Sequence, residues 1–161
     1  MICGSVAGTQ ETEERRPIIR NLASGLLRRA DTDRRVCFQA EDVLITGEGR
    51  CTYDRRSVPC TWYGYSFEYE LPKREATLEC SWSSTDQANV GTPDAEGHTD
   101  VSQGHYELKL EGQHGFFFNP QYSVFPSQRK HVGKVVQIRN SCSLEDRVGF
   151  EVVFKLRYPE R

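Results

Sequence analysis

Apolar and polar residues alternate along most of this chain, which is the period of a β-strand with one face buried. In PCTWYGYSFEYEL, Tyr63, Tyr65, Phe67, Tyr69 and Leu71 share one face, and Gly64, Ser66, Glu68 and Glu70 share the other. Pro72, which cannot donate to a sheet ladder, ends the run. In REATLECSWS, Ala76, Leu78, Cys80 and Trp82 oppose Glu75, Thr77, Glu79 and Ser81. The longest pattern lies near the C-terminus, where Val148, Phe150, Val152, Phe154, Leu156 and Tyr158 form an unbroken apolar face. VCFQA, DVLITG, RCTYD, HYELKLEG and KHVGKVVQIRN read as further strands. In GFFFNPQYSVFP the consecutive Phe116, Phe117 and Phe118 imply burial on both faces or a bulge.

One stretch breaks this period. In PIIRNLASGLLRRA, Ile18, Ile19, Leu22, Leu26 and Leu27 recur at three- and four-residue spacing, which predicts an amphipathic helix over 17–30. Thr12 would cap it, Pro17 suits its first turn, and Arg28 and Arg29 suit its negative end. Gly25 opposes it by about 1 kcal/mol relative to Ala. The polar residues 1–13 read as a flexible N-terminal segment.

Together these elements predict a mainly all-β fold, an antiparallel β-sandwich, Ig-like or jelly-roll-like, with one N-terminal amphipathic helix. Single-sided alternation gives each sheet one wet face, as antiparallel sheets allow. The chain has 161 residues and no linker-like stretch, so residues 14–161 read as a single domain that includes the helix. Cys60 with Trp62 and Cys80 with Trp82 do not reproduce the cysteine–tryptophan–cysteine spacing of true immunoglobulin domains.

Six cysteines, Cys3, Cys37, Cys51, Cys60, Cys80 and Cys142, bear on the compartment. An even set without C-x-x-C suits disulfides in an oxidising environment rather than a zinc ribbon or a thioredoxin-type site; buried reduced thiols of a cytoplasmic protein are the alternative. Only Cys51 and Cys60 suggest a pair, because they flank TYDRRSVP, a polar turn between two strands. Cys142 falls between the last two predicted strands. Cys3, so near the start, would suit a lipid anchor, although only Met1 and Ile2 precede it. No run of apolar residues is long enough to span a membrane, and the first ten residues hold no signal-peptide core, which fits a cytoplasmic chain or one whose leader is missing.

The 21 basic and 23 acidic residues leave a net charge of −2, which does not favour nucleic acid. The early arginines interleave with acids, as on a solvated surface. The polar stretch from Ser83 to Gly104 reads as a long exposed loop, and loops of that length are commonly functional. Within it, Asp94, Glu96, His98 and Asp100 place a donor at every second residue. Such a row would suit Ca²⁺ through its oxygens or a transition metal through His98, but it lacks the glycine and closing glutamate of an EF-hand, and a solvated loop explains it as well. Trp62 lies on the face opposite Tyr63, Tyr65 and Phe67, so either the tyrosine face is core and Trp62 exposed, or the reverse. An exposed Trp62 or Trp82 would stack on a sugar ring or a protein partner. No nucleophile elbow or phosphate-cradling glycine loop is present.

The sequence therefore points to a non-catalytic secreted or periplasmic domain that binds a protein or carbohydrate through the 83–104 loop or its exposed aromatics. A structural subunit docked through the 17–30 helix, and a metal-dependent hydrolase on a β scaffold, are the alternatives.

Overall fold

The computed structural model describes residues 15–27, 38–39, 41–86, 90–91, 102–125 and 131–160. These residues are mostly β. Eleven strand segments run β1 (Ile18–Leu26), β2 (Phe38–Gln39), β3 (Asp42–Leu44), β4 (Gly49–Tyr53), β5 (Arg56–Glu70), β6 (Glu75–Ser84), β7 (Val90–Gly91), β8 (Gln103–Glu111), β9 (His114–Val124), β10 (Val135–Leu144) and β11 (Val148–Arg157). They form two sheets. A six-stranded sheet has the order β2-β1-β5-β9-β7, with β4 also on β5, and a five-stranded sheet has the order β3-β11-β10-β6-β8. All pairings are antiparallel except β3 with β11, which is parallel, so the expected antiparallel arrangement holds with one departure.

The alternating segments supply the interior as their period requires. Tyr63, Tyr65 and Phe67 of β5 are fully buried and meet Leu78, Phe154 and Leu156 of the other sheet in one core. Tyr63 packs on Phe154 with ring centroids 4.8 Å apart, and Phe67 on Phe150 at 5.2 Å. The tyrosine face of β5 is thus the core face, and Trp62 lies on the other side. Phe117 turns inward onto Phe67 at 5.0 Å, whereas Phe116 and Phe118 point outward. The β5–β9 register runs without a shift from Cys60↔Val124 to Glu70↔His114, so the three phenylalanines alternate normally and need no bulge.

The expected helix over 17–30 is a strand as far as the described residues go, Ile18–Leu26, with residues 28–30 outside them. The cause is a bulge. β1 pairs Arg20 with Glu68 and then Ala23 with Ser66, so Asn21 and Leu22 together oppose Phe67. Asn21 takes a left-handed φ of 52° and donates Nδ2 to Glu68 Oε2 at 2.8 Å. The extra residue flips the parity of the strand, which lets Ile19 and Leu26 pack on the same core although seven positions apart. Seven positions are also two helical turns, so the bulge imitates a helical period. Asn21, Ser24 and Gly25 are poor helix formers, and pairing along β5 outweighs what helix signal remains.

Two hairpins turn through pairs of left-handed residues. Asp54 and Arg55 have φ of 49° and 58°, and Glu145 and Asp146 have 52° and 54°. This hand matches the strand twist. Among the described residues, two disulfides tie strands together. Cys51–Cys60 ties β4 to β5, the one pairing expected from spacing. Cys80–Cys142 joins directly opposed positions of β6 and β10. Cys142 is therefore inside a strand rather than between strands, because β10 continues to Leu144. Cys3, Cys37 and the segment 1–13 lie outside the described residues.

Candidate functional site

The outer face of the five-stranded sheet carries a hollow of about 220 Å³, lined by residues of β6, β8 and β10. The register builds it. Ser81 lies between His105 and Ser141, and Ser83 lies between Gln103 and Arg139. The short Ser81, Ser83 and Ser141 are thus flanked by the longer Gln103, His105 and Arg139. With neighbouring strands about 4.8 Å apart, that contrast leaves a depression in the sheet surface. Trp82 and Gly104 are directly opposed between these rows, but the Trp82 side chain has the inward parity of Cys80, and its indole lies over Gly104 on the other face of the sheet. A Cβ on Gly104 would come within 2.6 Å of Trp82 Nε1, so a glycine is required there.

One carboxylate organises the far rim. Glu151 of β11 accepts from Arg139 NH1 at 3.1 Å and from Ser141 Oγ at 3.2 Å. Arg139 keeps further N–H donors, and the serines, Gln103 and His105 supply hydroxyl, amide and imidazole groups. The hollow therefore offers a set of hydrogen-bonding groups from three neighbouring strands. Ser84 N donates to Ser102 O at 2.7 Å, which pinches together the two ends of the stretch expected as a long loop. The hollow opens beside that pinch.

A second hollow of about 270 Å³ lies on the outer face of the six-stranded sheet, lined by Arg20, Glu68, Tyr69, Glu70, His114, Gly115 and Phe116. Glu70 is its electrostatic centre, 3.1 Å from Arg20 NH2 and 3.4 Å from His114 Nδ1. Phe116 beside it is 49% exposed.

Between the sheets runs a buried polar chain. Tyr65 and Tyr106 share a hydrogen bond of 3.0 Å, and Tyr106 donates to Asn140 Oδ1 at 3.0 Å, next to Cys80–Cys142. Burial pushes the Tyr65 and Tyr106 phenols above their ordinary value, and the Tyr63 phenol well above it. All three phenols are held neutral; Tyr65 and Tyr106 hydrogen-bond within the interior, whereas the buried Tyr63 hydroxyl has no hydrogen-bond partner.

The residues singled out from sequence separate. Trp82 is among the residues lining the first hollow, but its side chain has the inward parity of Cys80. Trp62 belongs to a small outer cluster with Cys51, Cys60, Tyr122 and Val124, where it packs edge-on against Tyr122 at 5.2 Å and donates Nε1 to Arg50 O at 3.2 Å. Its indole covers the Cys51–Cys60 disulfide, so its partner is internal. Asp94, Glu96, His98 and Asp100 lie outside the described residues. Among the described residues, no cluster of three or more His, Cys, Asp or Glu is placed to hold a metal ion. Ser81, Ser83, Gln103, His105, Arg139 and Ser141 were not singled out by sequence. Their only signal was their place on the polar parity of three strands, and nothing in the chain order says that those strands are neighbours.

Compared with known proteins, the chain matches no family model, and no curated protein matches it.

Proposed function

We propose that this chain is a non-catalytic binding domain of a protein exported to an oxidising compartment, secreted or periplasmic, and that it holds a carbohydrate in the hollow of the five-stranded sheet. Two sheets sharing one core support an Ig-like or jelly-roll-like sandwich as its scaffold. The observation that carries the reading is the grid of Ser81, Ser83, Gln103, His105, Arg139 and Ser141 on one face of three neighbouring strands. Sugars present many hydroxyls, and this site sets hydroxyl, amide, imidazole and guanidinium groups close together in one depression. Two disulfides support export, since such bonds persist in oxidising surroundings. Among the described residues, no helix is long and apolar enough to cross a membrane.

The test is a glycan array followed by NMR titration of the best sugar. Shifts confined to the backbone amides of Ser81, Ser83, Gln103, His105 and Arg139, with affinity reduced about tenfold in Arg139→Ala, would support the reading. An array without hits, or shifts that leave these amides unmoved, would overturn it.

The Phe116 hollow favours a second reading. An exposed aromatic beside Arg20 and Glu70 has the composition of a protein-binding hot spot. Phe116→Ala that abolishes capture of a protein partner, with sugar binding intact, would move the function to that face.

A further inference from the structure

β8 ends the five-stranded sheet, and among the described residues no strand pairs with its outer edge. It is nine residues long and regular, with His105, Glu107, Lys109 and Glu111 exposed on one face and Tyr106 and Leu108 half-buried on the other. We propose that this edge pairs antiparallel with β8 of a second copy of the chain, joining the two five-stranded sheets across a two-fold axis at Leu108.

The ladder already present sets the allowed registers. Gly112 N donates to Arg74 O, and Ser84 N to Ser102 O, at the two ends of the β6–β8 pairing. The alternation of an antiparallel ladder then turns the N–H and C=O of the odd-numbered residues of β8 to the outer edge. A symmetric pairing must match odd residues with odd residues, which leaves few choices. With Glu107 opposite itself, like charges meet at the axis. With Lys109 opposite itself, two lysines meet and Glu107 faces Glu111. With the axis at Leu108, Glu107 faces Lys109 twice and His105 faces Glu111 twice, so each charged position meets its complement. With Tyr106 on the axis, Lys109 faces only Gln103.

That register also relieves strain within each copy. On the outer face, Glu107 sits directly opposite Glu79, and Glu111 directly opposite Glu75. Like charges in this position are unfavourable. Among the described residues, none of these four carboxylates, nor Lys109, has an ion-pair partner. In the dimer, Lys109 of the second copy flanks the Glu79–Glu107 pair, and His105 flanks Glu75–Glu111. On the inner face Leu108 meets Leu108 and Tyr106 meets Leu110, which covers two side chains that the single copy leaves half-buried. Glu111 O already accepts from Tyr69 OH at 2.6 Å, so the backbone ladder centres on the two Glu107–Lys109 pairs. The pairing does not depend on the sugar reading, although it sets Glu111 of the second copy beside His105 at the rim of that hollow.

Charge swapping tests the pairing, with sedimentation velocity on the full chain over a range of concentration and salt. Wild type should show a concentration-dependent dimer that weakens as salt rises. Lys109→Glu and Glu107→Lys should each weaken it about tenfold or more. An equimolar mixture of the two variants should form a heterodimer, because every charged pair at the axis is then complementary again. The double variant K109E/E107K should restore the homodimer. A wild type that stays monomeric at all concentrations, or a dimer that neither reversal weakens, overturns the proposal. So does a mixture with no heterodimer while circular dichroism shows both variants folded. None of these substitutions touches a side chain lining the hollow, so a failed dimer with intact sugar binding separates the two proposals.

Discussion

The two disulfides close loops of very different length, and this yields a quantitative expectation. Cys80–Cys142 spans a sequence separation of 62 and Cys51–Cys60 a separation of 9. Each bond removes conformational freedom from the unfolded chain, by an amount that grows with the logarithm of loop length. The relation gives about 4.3 kcal/mol for the long loop and about 2.6 kcal/mol for the short one. All four cysteines are at most 5% exposed, so replacing either pair by alanine removes sulfur from a similarly packed setting. The packing losses largely cancel in the comparison and leave about 1.7 kcal/mol attributable to loop length. The assay is urea denaturation of Cys80→Ala/Cys142→Ala and Cys51→Ala/Cys60→Ala, followed by tryptophan fluorescence. The first variant should lose more stability, and its m-value should rise more, because its unfolded chain expands more. If Cys51→Ala/Cys60→Ala proves the more damaged, chain entropy is the wrong account, and the outer cluster around Trp62 holds more of the fold than the loop does.

Three further expectations follow from packing and charge. Phe154→Ala empties a fully buried position against Tyr63 and should cost about 3–5 kcal/mol in calorimetric or chemical unfolding. Asp146→Gly relieves a left-handed φ of 54° in the β10–β11 turn and should raise stability by about 0.5–1 kcal/mol, read as a shift in urea midpoint with unchanged slope. The phenols of Tyr63, Tyr65 and Tyr106 are held above their ordinary value of 10.0, chiefly by burial, so the folded chain keeps protons that the unfolded chain releases. Their contribution is complete below pH 10 and is lost as pH rises beyond it, so stability measured across that range should fall with pH. Tyr106→Phe should flatten part of that fall, while costing about 1–3 kcal/mol at neutral pH through the orphaned Asn140 Oδ1.

The strands of this protein were legible because burial on one face imposes a period of two. β5, β6, β8 and β11 each carry that alternation, and their inward residues form the core. The local pairing of Cys51 with Cys60 was legible for a similar reason, since a short hairpin brings its own ends together. β1 was not, because a bulge at Asn21–Leu22 shifts its parity, and a parity shift within a strand looks like a helical repeat. Only its partner β5 reveals the strand, by supplying the hydrogen bonds that a helix would have made internally.

For β5, β6, β8 and β11 the sequence by itself determined which residues share a face, because the hydrophobic effect acts on each strand separately and leaves its period in the chain. It did not determine which strands lie side by side. Cys80 meets Cys142 across a separation of 62, and the hollow assembles from β6, β8 and β10, which are not consecutive. The same holds for the outer edge of β8, whose charge symmetry has meaning only once β8 is seen to be the last strand of its sheet among the described residues. Neighbourhood across a sheet is set by backbone hydrogen bonds between distant segments. The backbone is chemically the same at every residue, so those contacts leave no pattern in the side chains and only the tertiary structure decides them.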